Sequence, residues 1–154
     1  MPPVARMLLA IVVGNTHTVL GLYEGAVLRQ HFRLESASGR TADEYAALLC
    51  TMLDLRGVPA AAVTAAALAC VVPALQETLA AAAKQAFGVE LLVVGPGIKT
   101  GMPILSEQPR ELGADRIVNA VAAFERARRG LIVVDLGTAT TLDVVSPKGE
   151  FLGG

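Results

Sequence analysis

An apolar strand that breaks at a glycine into a short, hydroxyl-bearing turn, and then resumes as a second apolar strand, occurs twice in this chain. The two copies are Ile11-Val12-Val13-Gly14-Asn15-Thr16-His17-Thr18 and Val134-Asp135-Leu136-Gly137-Thr138-Ala139-Thr140-Thr141. Superposing Gly14 on Gly137 brings Thr18 onto Thr141. Downstream, Gly25-Ala26-Val27-Leu28 is echoed by Gly149-Glu150-Phe151-Leu152, allowing one inserted residue. Glycine-polar turns between strands are common, so two hairpins alike by chance are one account. The sharper account is a duplicated fold in which both hairpins bind phosphate from facing sides of a cleft. Glycine lets the backbone approach a phosphate closely, and turn amides and hydroxyls donate to its oxygens. An acid at the end of the preceding strand can hold a hard cation, which prefers oxygen ligands. The second hairpin has that acid, Asp135; the first has Val12 in its place.

The rest of the chain alternates between strand and helix patterns. Residues 8–13 form a continuous apolar run, read as a strand buried on both faces. With Arg6 before it the run faintly resembles a signal peptide, but it is too short for a membrane span and lacks a small-residue cleavage pattern. Met7 offers an alternative start, which would make residues 1–6 a ragged extension. Residues 18–23 and 26–34, with Gly25 at the turn, continue an antiparallel meander. After a polar loop at 36–40, Thr41-Ala42-Asp43-Glu44 has the form of a capping box. It opens a helix expected to reach about residue 55, stopped by Gly57 and Pro59. A strand at 65–72, a helix from Pro73 to Gly88 and a strand at 90–94, closed by Gly95-Pro96-Gly97, follow. Residues 95–112 form a loop of a length that is often functional. A helix at 114–128 carries Ile117, Val121 and Phe124 on one face. Strands at 130–136 and 141–145 and the tight turn Pro147-Lys148-Gly149 come last. This order predicts the α/β class, a mixed sheet flanked by helices.

Composition narrows the function classes. The chain has 154 residues, is 53% hydrophobic and lacks Trp, so it can bury a core and that core must be largely aliphatic. A formal net charge of −1 leaves no basic footprint for nucleic acid. Cys50 and Cys70 have no metal-ligand spacing, which suits a reducing, cytoplasmic setting.

Five segments carry a resemblance. Ala10-Ile11-Val12-Val13-Gly14-Asn15-Thr16, Arg40-Thr41-Ala42-Asp43-Glu44-Tyr45, Thr100-Gly101-Met102-Pro103-Ile104, Gly113-Ala114-Asp115-Arg116 and Asp135-Leu136-Gly137-Thr138-Ala139-Thr140-Thr141 resemble, in this order, the motifs of type III pantothenate kinases. They span nearly the whole chain. The resemblance implies the RNase H-like/actin-like ATPase fold, with a first domain at 1–112 and the start of a second, duplicated domain at 113–154. It implies phosphorylation of the 4′-hydroxyl of pantothenate by ATP, the first step to coenzyme A, in a homodimer that needs a divalent metal such as Mg²⁺ and a monovalent cation, K⁺ or NH₄⁺. By resemblance Val12, Val13, Gly14, Asn15, Thr16, His17, Thr18 and Val19 cradle the ATP phosphates, and Thr138 touches ATP. Gly113, Ala114, Asp115 and Arg116 contact pantothenate, with Asp115 as the base, and Asp135 holds the monovalent cation. A primary alcohol needs such a carboxylate within hydrogen-bond reach. Phosphoryl transfer otherwise rests on positioning and charge neutralisation, and the Arg116 fork suits a substrate carboxylate. On position alone, Asp115 equally suits the dipole of the helix it opens. Asp43 and Glu44 read as helix-start residues, His31 as an ordinary strand residue, and Lys99 and Arg110 as solvated flanks of the long loop.

Three features depart from the family's pattern. Val12 stands where it has an aspartate that organises Mg²⁺, which predicts weak or absent activity. Ser106 stands where it has a tyrosine near the pantothenate pocket. Family members are considerably longer, so the chain reads as the N-terminal part of such a protein. Its last hairpin is expected to expose apolar faces and to favour self-association or aggregation. A non-catalytic, ligand-binding regulator of the transcription-accessory type is the alternative function. A kinase of the same superfold acting on another small alcohol is a third, against which Gly113-Ala114-Asp115-Arg116 argues.

Overall fold

A computed structural model describes residues 6–95 and 97–154. The expected ragged extension falls, apart from Arg6, outside the described residues, as does Pro96 of the expected strand stop. The chain divides into two compact units, Met1–Val93 and Val94–Gly154, and the long loop belongs to the second.

In the first unit, β1 (Met7–Val13), β2 (His17–Glu24) and β3 (Val27–Glu35) form the antiparallel meander. The chain then passes through α1 (Ala42–Asp54) to β4 (Val63–Cys70), which lies parallel to β1. Helix α2 (Pro73–Phe87) leads to β5 (Leu91–Val94), giving the sheet order β3-β2-β1-β4-β5. Both helices start and stop on local signals. Thr41 Oγ1 accepts the Glu44 N–H at 3.3 Å, and Glu44 Oε2 accepts the Thr41 N–H at 2.7 Å, a reciprocal cap in which the Ncap side chain contributes about 1 kcal/mol. The Thr41 backbone bond, and then its hydroxyl, hold the Glu44 carboxyl below its ordinary range. Folding lowers this pKa, so the contribution is present above the unfolded-state value and lost as pH falls through the folded one. At the far end of α2, Gly88 takes the left-handed conformation (φ 69°) that closes a helix without a Cβ penalty.

The core of this unit joins Leu9, Ile11 and Val13 of β1 to Leu20 and Leu22 of β2 and Leu68 of β4. Against them pack Tyr45, Leu49 and Leu53 of α1 and Leu75, Leu79 and Ala82 of α2. The i, i+4 spacings on α1 and the i, i+4 and i, i+3 spacings on α2 are what place these side chains on one stripe of each helix. The expectation that the first strand is buried on both faces is corrected here. Its residues alternate, with Leu9 1% exposed and Leu8 39% exposed, because within this unit both helices contribute to the core on the same sheet face.

In the second unit, α3 (Ala114–Ala127) precedes β6 (Leu131–Leu136), β7 (Thr140–Val145) and β8 (Phe151–Gly153), an antiparallel three-stranded sheet. Met102, Ala120, Val145 and Phe151 form its core, joined by Ile104, Leu112, Val121, Phe124 and Leu131. The loop is therefore tied to this unit by its own apolar residues. It is tied through the backbone as well: Phe151 N–H donates to the Pro103 carbonyl at 2.9 Å, and Leu105 N–H to the Phe151 carbonyl at 2.8 Å. The opposite sheet face exposes Ile132, Val134, Leu136, Leu142 and Val144.

The two meanders share a plan. In each, a hairpin is followed by a strand antiparallel to its second member, entered through a left-handed glycine, Gly25 (φ 58°) or Gly149 (φ 81°). At Gly149 a Cβ would also lie 2.6 Å from the Phe124 ring, so both conformation and space demand glycine there. The superposition of Thr18 on Thr141 is corrected by one residue. Val13 pairs with Thr18, whereas Leu136 pairs with Thr140, because the second turn is one residue shorter. Val12 and Asp135 remain equivalent, each two residues before its turn glycine.

Candidate active site

In the first hairpin, the strands frame a turn whose Gly14 N–H donates to the His17 carbonyl at 2.9 Å, while the Thr16 carbonyl accepts the Ser36 N–H at 2.9 Å. A Cβ on Gly14 would sit 3.2 Å from the His17 carbonyl oxygen, which keeps this turn tight. The proposed phosphate-binding residues divide by orientation. Val13 and Thr18 are fully buried in the core, and the Thr18 hydroxyl is paired with Ser36 Oγ at 2.9 Å. Asn15, Thr16 and His17 are exposed. Val12 is half-buried and faces its ladder partner Val19, which is 42% exposed, away from the helix-covered side.

In the second unit the polar residues gather between α3 and the β6–β7 hairpin. Strand alternation points Leu131, Val133 and Asp135 inward, leaving Ile132, Val134 and Leu136 outward. Asp135 Oδ2 accepts from Asn119 Nδ2 at 3.0 Å. Arg116 lies three residues before Asn119, on the same helix face. Its Nε donates to Asp143 Oδ1 at 2.9 Å, and its Nη2 donates to the same oxygen. Asp143 is only 1% exposed. Its hydrogen bond raises the Arg116 pKa, against the opposing effect of burial, so the guanidinium remains charged at any ordinary pH. The guanidinium carbon also stands 6.0 Å from the centroid of the buried Phe151 ring.

Asp115, in the first turn of α3, is different. It is half-buried, and its Oδ1 accepts the N–H of Arg116 at 2.8 Å. Among the described residues it has no side-chain hydrogen-bond or ion-pair partner, unlike Asp135 and Asp143. Thr138 lies in the exposed turn between β6 and β7. Beside this cluster the long loop encloses a hollow of about 320 Å³ against Ile117, with Met102 and Ile104 as further apolar wall and Thr100 and Arg110 as polar lining. None of Gly113, Ala114, Asp115 and Arg116 is in its wall.

Sequence reasoning missed Asn119 and Asp143. The signal for Asp143 was present: in Thr141-Leu142-Asp143-Val144-Val145, alternation puts it on the same inward face as Val145, where an acid requires a partner. Asp143→Ala is expected to lower the unfolding free energy by about 2 kcal/mol, read as a lower denaturant midpoint, because it removes the charged partner of a part-buried guanidinium. Replacing both Asp143 and Arg116 by leucine is expected to recover most of that loss. A midpoint unmoved by Asp143→Ala would contradict a buried pair.

Among the described residues no group of three or more His, Cys, Asp or Glu side chains could hold a metal ion, and no helix is long and apolar enough to cross a membrane. The profile of the type III pantothenate kinase family matches residues 8–154. The chain is 63% identical over 148 residues to the type III pantothenate kinase of Anaeromyxobacter sp. (strain Fw109-5), covering 96% of this chain and 58% of that protein. It is 55% identical over 148 residues to that of Myxococcus xanthus (strain DK1622), with the same two coverages. The chain thus spans 58% of the length of these curated relatives. Two solved structures share its fold. A reductive activator for a corrinoid, iron-sulfur protein matches with a TM-score of 0.58 at 11% identity, over 96% of this chain and 30% of that one. The ethanolamine utilization protein EutJ from Carboxydothermus hydrogenoformans matches with a TM-score of 0.51 at 18% identity, over 98% of this chain and 50% of that one. The fold is α/β, RNase H-like/actin-like, with a five-stranded mixed sheet.

Proposed function

The chain belongs to the type III pantothenate kinase family, and we propose on that premise that the whole protein transfers the γ-phosphoryl group of ATP to the 4′-hydroxyl of pantothenate. The single observation carrying this proposal is the contrast among three acids. Asp135 and Asp143 are hydrogen-bonded to side chains of α3, whereas the Asp115 carboxylate accepts only the Arg116 backbone N–H among the described residues and meets the Arg116 guanidinium through space alone. Asp115 accepts the hydroxyl proton as the oxygen attacks phosphorus. The new P–O bond forms, the bond to the leaving β-phosphate oxygen breaks, and ADP departs. In the turn Gly14-Asn15-Thr16-His17, where the Gly14 N–H is already donated to the His17 carbonyl, the residues after the glycine offer backbone amides and polar side chains to the ATP phosphates. Val12, Val13, Thr18 and Val19 shape that turn as strand residues, and Thr138 contacts ATP. Gly113 and Ala114 open α3 toward pantothenate.

Asp135 fits a monovalent cation, K⁺ or NH₄⁺. One carboxylate oxygen is oriented by Asn119, and the other lies on the side of Gly137. Such an ion supplies positive charge beside the phosphates. The first hairpin does not fit a divalent ion in the same way, because Val12 supplies no oxygen ligand. No step is assigned to Mg²⁺ there, and slow turnover is the expected consequence. A homodimer in the cytoplasm completes the proposal.

The test is a direct assay of the whole protein with ATP, Mg²⁺, K⁺ and pantothenate, with 4′-phosphopantothenate detected by mass. Slow but measurable product supports the proposal. Val12 and Ser106 favour a second reading, a ligand-binding regulator. Pantothenate binding without product, in both the natural protein and Val12→Asp, would establish that reading instead.

A further inference from the structure

We propose that Tyr45 and Ser36 are positioning residues for the turn at 14–17; this rests on the proposed function, which puts the ATP phosphates there, and adds what holds the turn in shape. Ser36 directly follows β3 and meets the end of the turn twice. Its N–H donates to the Thr16 carbonyl at 2.9 Å, and its Oγ lies 2.9 Å from Thr18 Oγ1 in a hydroxyl pair. One residue therefore holds both neighbours of His17. The residue after it is clamped by the Tyr45 hydroxyl, which donates to the Ala37 carbonyl at 3.0 Å and accepts the Ala37 N–H at 3.2 Å. Tyr45 is fully buried, and the Arg40 guanidinium carbon stands 5.8 Å from the centroid of its ring.

The start of α1 sets where that hydroxyl stands. The Thr41–Glu44 cap fixes the first helical turn, and the Tyr45 N–H donates to the Thr41 carbonyl at 3.1 Å. The ring joins the core with Leu49 and Leu53, while its polar tip reaches the loop at 36–40. Residues 40–45 so do more than open a helix: they couple the core to the turn. Donors held in place before a phosphate arrives lose less conformational freedom on binding, which raises affinity without adding a contact. The hydroxyl is not needed merely to satisfy Ala37. The Ala37 N–H also donates to the Glu35 carbonyl at 2.9 Å, and the Ala37 carbonyl also accepts the Arg40 N–H at 3.2 Å. Tyr45→Phe therefore orphans neither backbone group and removes only the clamp.

The test is titration calorimetry on the whole protein with ATP and, separately, with pantothenate, alongside denaturant unfolding. Tyr45→Phe is expected to weaken ATP binding about 3- to 10-fold, to leave pantothenate binding within about twofold, and to move the unfolding midpoint only slightly. Ser36→Ala is expected to weaken ATP binding at least as much, with a larger drop in midpoint, because it deprives the buried Thr18 hydroxyl of its bond. Ser36→Thr keeps a hydroxyl and is expected to restore most of the ATP affinity. ATP binding unchanged in Tyr45→Phe, or equal weakening toward both ligands, would make the clamp a purely structural one and overturn the proposal. If the natural protein binds pantothenate but no ATP, or neither, the proposed function itself fails, and the positioning role with it.

Discussion

Val12→Asp is expected to raise the rate of phosphoryl transfer by the whole protein about a hundredfold or more, with little change in the KM for pantothenate. A carboxylate that ligates the metal neutralising the phosphates acts on developing charge, so its absence costs several kcal/mol at the transition state, and each ~1.4 kcal/mol is a factor of ten. The site can accept the change. Val12 lies opposite the side chains of the core, half-buried, with the exposed Val19 as its antiparallel partner and Ala69 on the parallel side. An aspartate there reaches solvent without displacing Leu9, Ile11 or Val13. The equivalent position of the second hairpin already carries Asp135. The cost is loss of a β-branched residue from a strand, up to about 1 kcal/mol, so a modestly lower melting temperature should accompany the gain. The diagnostic measurement is the rate as a function of Mg²⁺ at saturating ATP. Val12→Asp should saturate at a lower Mg²⁺ concentration and a higher plateau. An unmodified protein that already matches the variant at every concentration would show that this strand position has no part in metal binding.

What could be read from the sequence, and what could not, divides along a physical line. Features set by a few neighbouring residues were readable. The Thr41–Glu44 cap, Pro73 at the start of α2, Gly88 at its end and the glycine-led hairpins all depend on local sterics and local hydrogen bonds. Features set by what packs from far along the chain were not. The run at residues 8–13 has the apolar content of a strand buried twice over, yet where α1 and α2 pack decides which face is covered. Thr18 looks like a phosphate-binding hydroxyl in a hydroxyl-rich turn. Its strand register turns it into the core, where Ser36 satisfies it. Arg116 was read for its neighbours in sequence, while its partner Asp143 lies 27 residues away. Long-range ion pairs of this kind have no local signature except an acid on the inward face of a strand. The equivalence of Val12 and Asp135 survived because it counts back from a glycine along one strand. The equivalence beyond the turn slipped because it depended on turn length, which differs by one residue between the hairpins.

Asp115→Asn, made in the Val12→Asp background so that the starting rate is high, is expected to lower kcat by about 10²- to 10⁴-fold. The substitution separates the two roles open to this side chain. Asparagine retains an oxygen that can accept the Arg116 N–H, bonded to Oδ1 at 2.8 Å in the structure, so the opening turn of α3 keeps its local bond. What is lost is the negative charge and the capacity to take a proton. If Asp115 served only the helix dipole, the loss would be about 0.3–1 kcal/mol of stability, with kcat changed less than threefold. If it is the base, turnover collapses while the unfolding midpoint moves by no more than that dipole amount. Pantothenate affinity supplies the third readout. Asp115 is assigned the hydroxyl end of the substrate, so Asp115→Asn should leave calorimetric binding within a few-fold while kcat falls. A variant in which affinity and turnover fall together to the same degree would mean that Asp115 positions the substrate and that another group takes the proton.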